Sequence, residues 1–254
     1  MDNWPSDMKL LEYPSLGSTN AEGKRLAFTT ESDTWIFAHK QTDGRGSRGR
    51  EWSSGELDFT ASFLFYPGGN MRSLAQRTFT ASLALFDALV YSGVKPHKLT
   101  LKWPNDVLLN SKKVSGVLLE TCRDPRSERM ALVIGIGINL FSCPNPIQEQ
   151  ELNKMATTLK SVLADKTPTA RIMLTYLANS LQFWEKVFRD EGFLYVKDAW
   201  LNLSYPLGSQ VKVKVKGKEY KGYFEGVSEN GSFLLKSNET ISKLSIGDVF
   251  FGDF

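Results

Sequence analysis

The run Met130-Ala-Leu-Val-Ile-Gly-Ile-Gly-Ile-Asn-Leu140 limits the possible folds more than any other part of the chain. It is β-rich and nearly all apolar, and a strand without polar alternation has to be covered on both faces. This segment therefore belongs at the centre of a sheet. Extended to Phe141 it is the longest apolar stretch, 12 residues with two glycines, whereas a transmembrane helix needs roughly 20. Gly135 and Gly137 give up side-chain packing inside a buried strand, so either a ligand or another element has to lie against the backbone there. Asn139, at the end of the strand, is a candidate polar contact.

Around this strand, β-rich segments alternate with helical periods. Ser18 or Thr19 followed by Glu22 reads as a helix start, with the helix running to about Phe28. Thr34 to His39 and Leu57 to Tyr66 read as strands, the second ending at Pro67-Gly68-Gly69. Leu74, Phe79, Leu83, Phe86 and Val90 share one helical face between Arg72 and Tyr91, with Gly93 as the stop. Leu99 to Trp103, Val107 to Leu109 and Val114 to Glu120 are further strands, and Asn110-Ser111-Lys112 turns tightly between the last two. Ser142 to Gln150, with prolines at 144 and 146, is expected to be a mobile loop. Thr167 caps a long helix, with Pro168 in its first turn, that ends near Asp190 before Gly192.

Beyond Tyr205-Pro206 the texture changes. Val211 to Lys216, Glu219 to Val227, Ser232 to Lys236 and Val249 to Phe251 read as short strands at about ten-residue spacing, the pattern of a small antiparallel β-barrel. The expected fold class is α+β. A mixed β-sheet covered by helices occupies residues 1–204, and the small C-terminal β-barrel occupies 205–254.

Composition narrows the function classes. With 41% apolar and 23% charged residues the chain is globular. A net charge of +3 is too small for a generic nucleic-acid coat. The start, Met-Asp-Asn-Trp-Pro, lacks the basic and apolar stretches of a secretory signal. Cys122 and Cys143 form neither a CxxC pair nor a disulfide framework. A soluble, cytoplasmic protein with reduced thiols and no membrane segment is expected. His39 and His97 lie far from the cysteines, and no GxSxG elbow or GxxxxGK(S/T) loop occurs. Anion chemistry in this chain falls to arginine, lysine and backbone amides.

Five segments carry such groups. Gly44-Arg45-Gly46-Ser47-Arg48-Gly49-Arg50 contains a formal GxGxxG, but Glu51-Trp52 and the residues after it have no helical period, which argues against a dinucleotide fold. Three arginines between glycines suit a phosphate or carboxylate, the alternative being an exposed basic turn. Lys102-Trp103-Pro104-Asn105-Asp106 ends a strand, where Asp106 is a candidate Mg²⁺ ligand or a turn residue bonding its own backbone. Lys113-Val-Ser-Gly116 puts an ammonium at a strand start, beside a reacting group or simply in solvent. Ser18-Thr19-Asn20 caps a helix whose free N–H groups also suit a ligand. The fifth is the glycine strand itself. Trp52 either stacks on a planar ring or fills core. The stripe Lys212, Lys214, Lys216 reads as a solvated edge.

Taken in order, Ser18-Thr19-Asn20, Gln41 to Trp52, Lys102 to Asp106, Lys113 to Gly116 and Gly135 to Asn139 resemble the signature segments of biotin protein ligases. The resemblance covers about residues 10 to 205 and continues more weakly into the C-terminal barrel. It implies a class II synthetase-like ligase fold. It also implies ATP-dependent activation of biotin to biotinyl-5′-AMP with Mg²⁺, then transfer to a lysine of the biotin carboxyl carrier domain of a carboxylase. Lys113 would be catalytic, between biotin's carboxylate and the α-phosphate, with Arg45 and Arg48. The biotin site would comprise Ser18, Thr19, Asn20, Gln41, Gly44, Arg45, Lys113, Gly116, Gly135 and Gly137. ATP would meet Arg48, Arg50, Trp52, Lys102, Asn105 and Asn139, with Asp106 the weak candidate for the metal.

Two departures qualify the resemblance. Ser47 stands where the family often has arginine, which implies a looser loop over the adenylate unless Arg48 compensates. Only 17 residues precede Ser18, so the ligase-only type without operator binding is expected. The rival readings are a lipoate–protein ligase of the same superfamily and a non-catalytic nucleic-acid-binding protein. Homodimerisation through a free sheet edge stays open.

Overall fold

The computed structural model describes residues 4–30, 32–123, 129–143 and 156–252. Among them a seven-stranded mixed sheet forms from β1 (Lys9–Tyr13), β2 (Thr34–Ala38), β3 (Phe59–Phe65), β4 (Leu99–Lys102), β5 (Asp106–Leu109), β6 (Lys112–Arg123) and β7 (Met130–Ile138). Its order is β1-β2-β3-β7-β6-β5-β4, with β1 and β2 parallel and the other pairs antiparallel. The apolar run is the middle strand, as its lack of alternation demands. Asn110 and Ser111 both have positive φ in the tight turn between β5 and β6.

Strand parity assigns the two faces. Trp35, Phe37, Ala61, Phe63, Ile134, Ile136 and Ile138 point into the main core under the long helices α2 (Met71–Tyr91) and α4 (Ala170–Asn202). The opposite face carries a smaller cluster around Ile36, Leu64 and Val133, under α1 (Thr19–Leu26). Because side chains alternate, Ser62, Gly135, Gly137, Gly116 and Leu118 also look out on this second face. The glycines leave it open beside α1.

Ser18 caps α1, its hydroxyl accepting from Ala21 N (3.4 Å), and Glu22 sits in the first turn with Lys24 and Arg25 in the last. For α4 the expectation needs correction. Thr169 is the cap, accepting from Ile172 N at 3.3 Å, and Thr167 lies outside the helix. Gly192, at φ +79°, breaks the helical geometry without ending the element. The chain resumes helix because Phe193, Val196 and Trp200 are buried on the far side of the break.

A one-turn helix, α3 (Lys160–Leu163), and the edge strand β1 went unread, both being too short for a period. The expected loop at 142–150 falls largely on residues 144–150, outside the described residues.

The C-terminal strands β8 (Gln210–Val215), β9 (Lys218–Val227), β10 (Phe233–Ser237), β11 (Thr240–Leu244) and β12 (Asp248–Phe251) form an antiparallel sheet in the order β11-β10-β9-β8-β12. Among the described residues no pairing joins β11 to β12, so the barrel is open. β11 escaped the sequence reading because it is mostly exposed and has no apolar alternation. Phe224 and Phe233 stack at 4.8 Å, Phe233 packs on Trp103, and Trp103 Nε1 donates to Gly231 O (3.0 Å). The small sheet thus continues the main core. No helix among the described residues is long and apolar enough to cross a membrane.

Candidate functional site

A cavity of about 690 Å³ opens on the α1 face of the large sheet, roofed by the Gly44–Arg50 loop and walled on one side by β12. Cross-strand register builds its floor. Thr60, Gly137, Gly116 and Asp106 are partners in one row, and Ser62, Gly135 and Leu118 in the next. The two glycines of β7 answer the question their sequence raised. A Cβ at Gly135 would overlap the Asn20 carboxamide, and one at Gly137 would overlap the Trp52 indole. The chain's own side chains lie against the bare backbone.

At the α1 end the wall is polar and uncharged. Gln41 Oε1 accepts from Thr19 N (2.8 Å), with Thr19 Oγ1 at 3.1 Å. Ser62 Oγ lies 2.7 Å from Thr19 Oγ1 and 2.6 Å from Asn20 Oδ1. Ser18, Thr19 and Asn20 are all buried.

At the other end the wall is cationic. Lys113 Nζ is 2.6 Å from Asp106 Oδ1 and 5.6 Å from the Trp52 ring. Lys102 Nζ stands over Phe250 at 5.5 Å. Burial, joined by nearby Lys113 and Arg50, pushes the Lys102 ammonium below its ordinary range, while Asp106 and Asp248 pull it back up. Arg50 reaches Asp248 at 3.3 Å and donates to Ser47 Oγ at 2.9 Å. Trp52 Nε1 is buried with no hydrogen-bond partner among the described residues, and it lies against the bare backbone of Gly137.

The structure therefore gathers most of the sequence-selected residues. Ser18, Thr19, Asn20, Gln41, Arg45 and Arg50 line the cavity, as do Trp52, Lys102, Asn105, Asp106 and Lys113, and Gly116, Gly135, Gly137 and Asn139. Asn105 and Asn139 are also structural, donating to Val117 O and to Thr157 O. Two residues stand outside the lining. Gly44 sits behind the loop, its carbonyl accepting from Trp52 N (2.9 Å). Arg48, at φ +62°, turns away from the cavity and bonds the Asp248 carboxylate and Gly247 O. Sequence reasoning missed Asp248, Val249 and Phe250, which β12 brings to the wall from about 200 residues away. A generic strand pattern held no signal for that contact.

Among the described residues no three acidic, histidine or cysteine side chains converge. Asp106, the carboxylate nearest the lysines, is already bonded to Lys113. The protein's own donors, among the described residues, do not build a resident metal centre. Chemically, the cavity suits a ligand with a neutral hydrogen-bonding head at the α1 end and a polyanion at the lysine–arginine end.

Known proteins are similar to this chain in sequence and in fold. Residues 207–252 match the biotin protein ligase C terminal domain. The biotin--[acetyl-CoA-carboxylase] ligase of Paracoccus denitrificans is 34% identical over 92% of this chain and 97% of its own. The bifunctional ligase/repressor BirA of Bacillus subtilis is 30% identical over 96% of this chain and 74% of its own. In three dimensions, the biotin protein ligase of Aquifex aeolicus in complex with biotin and ATP superposes with a TM-score of 0.76 at 29% identity, covering 96% of this chain and 98% of that one. Residues 13–139, half of the chain, match the biotin/lipoate A/B protein ligase family, and the chain belongs to that family.

Proposed function

We propose that the chain is an ATP-dependent biotin–protein ligase acting on a carboxylase. The observation that carries the reading is the polarity of one cavity, neutral donors and acceptors at one end and Lys102, Lys113 and Arg50 at the other. In the first reaction the biotin carboxylate attacks the α-phosphorus of ATP. The P–O bond to pyrophosphate breaks, leaving biotinyl-5′-AMP. Two anions have to meet, so the barrier is electrostatic and positional.

Lys113 stands at the cationic end beside Gly116, and its ammonium exchanges Asp106 for the reacting oxygens. Lys102 and Arg50 hold the phosphates, joined by Arg48 once it exchanges Asp248 for them, with Arg45 at the carboxylate. Thr19, Gln41 and Ser18 bind the bicyclic head, and Trp52 packs against adenine. In the second reaction a lysine amine attacks the biotinyl carbonyl and AMP leaves.

The acceptor lysine belongs to the biotin carboxyl carrier domain of that carboxylase. Residues 1–204 form the catalytic unit and 205–254 the small C-terminal unit. The enzyme works in the cytoplasm, where ATP is supplied.

The test is biotin-dependent exchange of labelled pyrophosphate into ATP, with mass detection of bound biotinyl-AMP. Lys113→Ala should slow adenylate formation by at least about 100-fold while the protein still melts cooperatively. Exchange driven by lipoate and not by biotin would overturn the assignment.

A further inference from the structure

The lysine stripe of β8 is not on an edge. β8 runs between β9 and β12, so blunting a free edge does not account for Lys212, Lys214 and Lys216. Cross-strand register places Lys212 opposite Lys221 on one side and Phe250 on the other, and Lys214 opposite Glu219 and Asp248. Like charges directly opposite each other cost stability. Glu219 offsets part of that cost, at 3.8 Å from Lys212 Nζ.

Register also fixes which way the stripe looks. Residues paired across strands stand on the same side of a sheet, and Asp248 and Phe250 line the cavity. Lys212 and Lys214 therefore rise on the cavity side of the sheet, one strand behind β12. Lys214 Nζ stands over the Phe250 ring at 5.5 Å from its centroid, and Lys102 Nζ stands over the same ring at 5.5 Å. Lys102 lines the cavity, whereas Lys214 lies just behind the lining. An ammonium on a flexible lysine stem spans that step.

Other cations at this end are held by carboxylates, Lys113 by Asp106 and Arg50 by Asp248. With Lys113 at the α-phosphate, the two outer phosphates run past Lys102 along the β12 wall. We propose that Lys214 binds the β- and γ-phosphates of ATP, and the pyrophosphate they become, from the C-terminal unit. The proposal rests on reading the cavity as the ATP site. When the bond from the α-phosphorus to the pyrophosphate oxygen breaks, the electron pair goes to that oxygen, and an ammonium nearby stabilises the charge. Biotinyl-5′-AMP keeps only the α-phosphate, so the contact ends as pyrophosphate leaves.

Lys214→Met tests this in the two half-reactions separately. In biotin-dependent exchange at low salt, the KM for ATP and the KM for pyrophosphate should each rise about fivefold, the effect of one partly exposed charge contact. The difference should shrink as ionic strength rises. The KM for biotin should stay within about twofold. So should transfer from preformed biotinyl-AMP to the carrier domain of a biotin-dependent carboxylase. Lys214→Arg keeps the charge and should stay near wild type throughout. Lys221→Met removes a lysine of the same face on β9, farther from the wall, and should change none of these values.

An unchanged KM for ATP and pyrophosphate in folded Lys214→Met overturns the proposal. So does an equal loss in transfer from preformed biotinyl-AMP, which marks a general defect, or an equal rise in Lys221→Met, which makes the effect one of overall charge. A raised KM for the carrier domain alone also overturns it, by making the stripe a docking surface for an acidic partner. If Lys214→Met does not melt cooperatively, Lys214→Gln is read by the same criteria. Wild-type protein without biotin-dependent exchange fails the reading of the cavity instead.

Discussion

Gly137 joins the fold and the proposed chemistry at a single position. It is in the central strand, in register with Gly116 and Thr60, and the Trp52 indole rests where its side chain would be. Gly137→Ala should leave the sheet in place, since alanine is tolerated in a strand, but it has to displace the ring. With Trp52 packing on adenine as proposed, the KM for ATP should rise by roughly fivefold, equivalent to about 1 kcal/mol of ring packing. The KM for biotin should change much less, because Asn20 and Thr19 sit over the next row. Steady-state kinetics with tryptophan emission checks this. A shifted emission with an unchanged KM for ATP would separate Trp52 from the nucleotide. Much of the site was legible at this scale because identity and spacing suffice to mark anion-binding residues. The direction of a side chain was not. Arg48 was grouped with the catalytic arginines through the resemblance, yet its left-handed backbone sends it to Asp248. Glu120 read as an ordinary strand residue because its bond from Asn20 spans 100 residues of sequence.

Among the elements, α2 and α4 pack as a pair over the main core, and the contact holds one buried ion pair. Arg77 Nε lies 3.4 Å from Glu185 Oε2, with Arg77 also donating to Ser73 O (2.8 Å) and standing over Phe188 at 3.8 Å. Burial pushes the Glu185 carboxyl up to about 7 from 4.5, against the pull of Arg77 and Arg189 and with a small push from Asp33. Asp33 is itself raised, by burial first. The native state therefore binds more protons than the unfolded chain between those two values. The stability Glu185 contributes is fully present below about pH 4.5 and is lost as pH rises through about 7. Urea unfolding from pH 5 to pH 8 should show falling stability in the wild type and a flatter slope in Glu185→Gln. Equal slopes would place the proton elsewhere. The periodicity of α2 was plain from sequence, because its apolar face alone fixes a helix. The full length of α4 was not, since a glycine reads as a stop unless the burial of Phe193, Val196 and Trp200 beyond it is known. The alternation that marked β8 and β9 was absent from β11, so this fourth C-terminal strand stayed unread.

For the molecule as a whole, the two sheets meet at the site, and their meeting is electrostatic as well as apolar. Asp248 of β12 holds both Arg48 and Arg50, and Asp106 holds Lys113. Two carboxylates thus occupy the cations that the nucleotide's phosphates need, and a polyphosphate has to displace them. The Asp248 pairs are partly exposed, so each contributes at most about 1 kcal/mol to stability. Their larger effect is on a ligand that carries several negative charges close to the same point. Asp248→Asn keeps the shape of β12 and removes both the competing partner and a repelling charge. Its melting temperature should stay close to wild type, and its KM for ATP should fall a few-fold at low salt, the difference shrinking as ionic strength rises. The KM for biotin, set at the far end of the cavity, should not move. A higher KM for ATP in this variant would instead mean that Asp248 holds the arginine loop in the conformation that binds nucleotide. The wall formed by β12 would then act as a clamp on the loop, and its carboxylate would not be a competitor of the phosphates.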